Sequence, residues 1–138
     1  RSEVNYLYVA EPMRSNWGKK NQGEFQALDY FCKYLTLLKN YDEVVINLRL
    51  HPSESRKKYN KWIQNKTNKG YKIKIDFNQN IENSIAKSDY IVGCQTYPII
   101  IALLAGKKVL SSLPPWAPRC KIPYKKLIHI TDKINNFN

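Results

Sequence analysis

Apolar residues recur along this chain in two alternating rhythms. Short runs rich in β-branched and aromatic residues take turns with longer runs in which apolar side chains return every third or fourth position. Residues 5–10 (NYLYVA) predict a first strand, closed by Glu11-Pro12. Phe25, Leu28, Phe31, Leu35 and Leu38 then lie on one stripe, which predicts a helix over 24–38. Residues 42–50 (DEVVINLRL) predict a second strand, stopped by His51-Pro52 because proline cannot continue a ladder. A charged helix is expected over 55–65, with Ser53 or Ser55 able to cap its free amides.

Lys69-Gly70 marks a turn, and 72–77 (KIKIDF) alternates polar with apolar, the pattern of a third strand nearer an edge. A short helix over 80–87 precedes a fourth strand, 89–92, which ends in Gly93-Cys94. Residues 97–105 (YPIIIALLA) are almost wholly apolar. They predict a buried helix with Pro98 in its first turn and Gly106 as its C-terminal cap. A fifth strand is expected over 108–112, then an extended tail, then a short sixth strand over 127–130.

Strands that alternate with helices imply parallel pairing by right-handed crossovers, with helices on both faces. The fold class expected is a three-layer, Rossmann-like α/β domain with a mostly parallel sheet of five or six strands. At 138 residues, positions 1–138 form one domain large enough to bury a core. The chain opens on Arg1, which is read as a trimmed start with a second, N-terminal domain before it.

A hydrophobic share of 43% with 25% charged residues excludes a globally disordered chain. No run reaches the roughly 18 uncharged apolar residues of a membrane span, and no leader pattern opens the chain. Cys32, Cys94 and Cys120 share no short spacing, which suits reduced thiols in the cytoplasm and suggests neither a zinc site nor a thiol nucleophile. The net charge of +12 favours anionic partners, yet the lysines run along the whole chain.

Ligands of open α/β sheets bind beyond the carboxyl ends of the strands. The polar residues there are Glu11 and Trp17 after the first strand, His51, Pro52 and Ser53 after the second, Gly93 and Thr96 after the fourth, and Ser111 and Ser112 at the fifth. An imidazole at a strand end, beside a helix start, can donate to a phosphate oxygen and act on a departing phosphate. Glycine at 93 allows close backbone approach to a ligand, and Thr96 can cap the next helix. Hydroxyls at 111 and 112 can meet a ribose or phosphate; Trp116 can stack on a base or simply pack the tail. No G-x-G-x-x-G, Walker, G-x-S-x-G or H-E-x-x-H pattern occurs, and with His51 and His129 as the only histidines a His-rich metal site is excluded.

These motifs form a familiar series: Arg49-Leu50-His51-Pro52 closing a strand, Ser88-Asp89-Tyr90-Ile91-Val92-Gly93, a hydroxyl at Thr96, and the helix end from Ala102 to Lys107. The series resembles the C-terminal, donor-binding domain of B-type glycosyltransferases. Most similar are the bacterial sialyltransferases and capsule or lipooligosaccharide enzymes with a His-Pro motif. The resemblance implies that His51 contacts the donor phosphate and aids departure of the nucleotide, and that Thr96 binds the same phosphate. It implies a CMP-sugar donor and a cell-surface glycan acceptor; no cofactor and no metal are expected. The catalytic base would lie in the second domain, so this chain alone would not turn over. Where the family commonly carries two adjacent hydroxyl residues, this chain reads Cys94-Gln95-Thr96.

Other readings remain open: a sugar-nucleotide epimerase, a polyol-phosphate transferase, or a nucleic-acid-binding or basic interaction module. Nucleic acid is disfavoured because the aromatics fall in predicted strands and helices rather than in an exposed row beside the lysines. A lysine-rich exterior also suits the anionic inner face of the cytoplasmic membrane.

Overall fold

A computed structural model describes residues 3–136. The elements, in chain order, are β1 (Val4–Val9), α1 (Gly23–Leu35), β2 (Val44–Arg49), α2 (Arg56–Asn68), β3 (Lys72–Ile75) and α3 (Ile81–Lys87). There follow β4 (Tyr90–Gly93), α4 (Tyr97–Leu104), β5 (Lys108–Ser111), β6 (Ile128–His129) and α5 (Ile130–Asn135). All six strands join one sheet in the order β3-β2-β1-β4-β5-β6, and every pairing is parallel. This is the doubly wound, Rossmann-like order that the alternation of strands and helices predicts.

Period-two alternation along the strands divides the core between the faces. Tyr6, Tyr8, Ile46 and Leu48 point to one side, where they pack with Phe31 and Leu35 of α1, Tyr59 of α2 and Ile130 of α5. Leu7, Val9, Ile91 and Val109 point to the other and meet Ile85 of α3 with Ile99, Ala102 and Leu103 of α4. Each fully buried side chain of this size contributes about 1.5–3 kcal/mol.

Several boundaries depart from the periodic pattern. The first helix ends at Leu35 rather than 38. The Thr36 hydroxyl donates to the Lys33 carbonyl at 2.7 Å, and the amides of Leu37 and Leu38 reach back only three residues. A side chain competing for the helix's own carbonyl tightens and closes the last turn. Residues 42 and 43, expected in the second strand, belong instead to a 3₁₀ turn over Tyr41–Glu43, because pairing with β1 starts at Val4 opposite Val44. The sixth strand is two residues long and runs straight into α5, a helix absent from the sequence reading.

The helix expected to be buried is covered on one side only. Ile99, Ala102 and Leu103 of α4 face the sheet, whereas Tyr97 is 71% and Leu104 is 74% exposed. Its ends match expectation: Pro98 sits in the first turn, and Gly106, with φ of 79°, closes the last. The amides of Gly106 and Lys107 bond the carbonyls of Leu103 and Ala102.

Candidate functional site

The chain winds from β1 toward β2 and β3, then crosses back to β4 on the other side of β1. The carboxyl ends of β1 and β4 therefore flank the point where the winding reverses, the usual ligand crevice of such sheets. Glu11 spans it: its Oε1 accepts the Gln95 backbone N–H at 3.1 Å. Burial pushes the Glu11 carboxyl above its ordinary range, while the Gln95 N–H and the nearby His51 pull it back.

His51, Pro52 and Ser53 lie exposed just beyond β2. The Ser53 backbone N–H donates to His51 Nδ1 at 3.1 Å, and the Ser53 hydroxyl lies 2.7 Å from the same nitrogen. A nitrogen that accepts from an amide carries no proton, so the neutral ring's N–H is at Nε2. The Glu54 amide bonds the His51 carbonyl at 2.8 Å and closes the turn. Of the two candidate caps for α2, Ser55 serves: its Oγ accepts from the Lys57 amide at 3.1 Å.

The loop after β4 differs from expectation in two respects. A Cβ on Gly93 would stand 2.9 Å from Ile99 Cγ2, so the missing side chain admits helix α4 rather than a ligand. Thr96 occupies the N-cap position of α4 without making a side-chain cap bond, and its Oγ1 is buried without a partner. The hydroxyls at the end of β5 are also turned inward. Ser111 Oγ donates to the Cys94 carbonyl at 2.8 Å, and Ser112 shares a 2.8 Å bond with the Tyr8 hydroxyl. Both serines are buried, and they tie β5 to the ends of β4 and β1 rather than facing the crevice.

Trp17, with φ of 51°, folds its ring against Gly23 at the start of α1. Trp116 packs the tail, as one of its two readings expects. Its Nε1 donates to Gln26 Oε1 at 2.6 Å, and its ring meets Tyr30 edge-on. Gln26 is the residue that sequence reasoning missed. Its Nε2 also donates to the carbonyls of Asn16 and Asn21, both at 2.7 Å, so one side chain clamps the β1–α1 loop to the tail. No periodicity could mark it. The second missed group is Lys58, which pairs with both Glu24 and Glu54. Burial works against its charge, but bonds to the two carboxylates push its pKa up. Glu54 and Lys58 stand four residues apart, a spacing visible in the sequence. Glu24 comes from α1, which only the fold brings near.

An open groove of about 620 Å³ lies beyond β5 and β6, lined by residues of the 113–122 tail and by His129, Thr131 and Asp132. Gln95 joins it to the crevice: its Oε1 accepts the Lys121 amide at 3.2 Å while its own amide bonds Glu11. The structure thus gathers His51, Ser53, Glu11 and Gln95 near the switch point and leaves Ser111, Ser112 and Gly93 as internal supports. No protein-family model matches the chain, and no curated protein matches it.

Proposed function

We propose that this domain binds a nucleotide-sugar donor, a CMP-sugar first among them, as the donor half of a glycosyltransferase acting on a glycan acceptor. The observation that carries the reading is His51. Its ring is locked through Nδ1 by Ser53 at the carboxyl end of β2, which leaves Nε2–H as a donor beside the Glu11 bridge. As the bond from the sugar to the phosphate breaks, negative charge grows on the phosphate oxygens. A pre-oriented N–H stabilises that charge without reorganising. The His-Pro resemblance puts CMP before other nucleotides. A catalytic base from another domain would activate the acceptor, so the chain by itself binds without turnover.

Calorimetric titration of the chain with CMP, CDP, UDP, GDP and a short single-stranded DNA tests this, repeated with His51→Ala. One nucleotide is expected to bind selectively. The substitution weakens it by roughly ten- to a hundredfold, the worth of a hydrogen bond to a charged group. Binding to DNA alone, lost as salt rises, would show instead that the net charge is the operative feature. Unchanged nucleotide affinity in His51→Ala would remove that residue from the site.

A further inference from the structure

The outer face of α4 is apolar and uncovered. Tyr97 and Leu104 are largely exposed, and Ile100 between them is partly buried. Their spacing of three and then four residues sets them on one stripe along the helix. Along the chain, charge from β4 to β6 has one sign. Between Asp89 and Asp132 the chain contains no Asp or Glu, yet it holds Lys107, Lys108, Arg119, Lys121, Lys125 and Lys126.

The fold brings part of this cationic stretch to the helix. The Lys121 amide bonds Gln95, two residues before α4, and Cys120 and Ile122 pack on the same core cluster as Ile99 and Leu103. The cations of that segment are exposed, and Tyr124 among them is 43% exposed. A cationic segment therefore packs against the same helix that carries the apolar stripe, in a stretch of chain without a single anion.

We propose that the outer face of α4 and residues 119–126 dock on the surface of an anionic lipid bilayer. The charge calls for an anionic occupant, which a second copy of a +12 chain is not. Protein interfaces deplete lysine, whereas five of the six cations in this stretch are lysines. A lysine stem lies along apolar surface while its ammonium reaches outward to headgroups. Tyr97 and Tyr124 suit the headgroup level, where tyrosine is enriched. Among the described residues no helix is long and apolar enough to cross a membrane, so the contact is peripheral. This surface is independent of the nucleotide reading and stands or falls without it.

Co-sedimentation with vesicles of phosphatidylcholine, alone or mixed with phosphatidylglycerol, tests the proposal. Three proteins are compared with the parent chain after circular dichroism has checked their folding. One carries Lys121→Glu, Lys125→Glu and Lys126→Glu. A second carries the same charge change elsewhere, as Lys39→Glu, Lys61→Glu and Lys69→Glu. A third carries Tyr97→Ser and Leu104→Ser. The parent is expected to sediment only with the anionic vesicles. The first variant loses roughly tenfold or more in affinity, the second far less. The third loses the part of the binding that survives high salt. Equal losses in the two charge variants, or no preference for anionic vesicles, would overturn the proposal. So would indifference to vesicles combined with binding to polyglutamate, which would assign the surface to an acidic protein.

Discussion

A single carboxylate shows how the crevice trades stability for polarity. Glu11 is held above the usual carboxylate range because burial outweighs the Gln95 N–H and His51. A folded-state pKa above the unfolded value means that the folded chain holds the proton more tightly. The stability tied to this group is therefore complete below the ordinary carboxylate range and lost as pH rises through the raised value. Glu11→Gln keeps an acceptor for the Gln95 amide and removes the charge. The variant is expected to melt higher than the parent at neutral pH, with its advantage shrinking as pH falls through the carboxylate range. Thermal melts across that range check this; a constant difference at every pH would show that Glu11 pays no desolvation cost.

The joint between β4 and α4 is closely packed. Ile99 is fully buried and its Cγ2 occupies the space where a side chain on Gly93 would begin. Gly93→Ala forces that methyl to give way, while the Val9 carbonyl, 3.4 Å from the added carbon, stays in ordinary contact. Overpacking of this kind costs typically 1–3 kcal/mol. Urea unfolding of Gly93→Ala should show a loss in that range with an unchanged dependence on denaturant. A neutral result would mean that α4 can slide away from the sheet. The same joint explains why Thr96 makes no cap bond: the helix start is set by packing on Gly93, and the hydroxyl is enclosed beside it.

At the scale of the whole molecule, the sheet separates two apolar layers that one chain holds together. Cys32 lies in the layer of α1, and Cys94 lies at the crevice end of β4 beside Ser112. Burial pushes both thiols up to about 12. Only the thiolate attacks a disulfide reagent, so both are expected to react slowly at mildly alkaline pH. Cys120, which is partly exposed, should label first. In rising denaturant Cys32 and Cys94 should become reactive together, since both lie on the α1 side of the sheet, Cys94 beside Ser112 and Tyr8. Reactivity of Cys94 well before Cys32 would show that the ends of β4 and β5 open by themselves.

The period-two and period-3.6 patterns by themselves determined the order of the elements from β1 to β5 and the parallel sheet. Both follow from where apolar side chains must point, and that is local information. Strand ends marked by His51-Pro52 and Gly93-Cys94 likewise located the crevice, because turn residues and strand stops are local too. What those patterns could not decide is which side of each residue a neighbour would cover. Ser111 and Ser112 read as ligand hydroxyls until β4 and Tyr8 take their bonds. The apolar α4 read as buried, yet the second layer consists of two short helices, and among the described residues Tyr97 and Leu104 stay exposed. Gln26 and Glu24 stand outside the apolar stripe of α1, and their roles appear only when the loop, the tail and Lys58 converge on them. Partners distant in sequence settle each of these cases, and only the tertiary structure brings them within bonding distance.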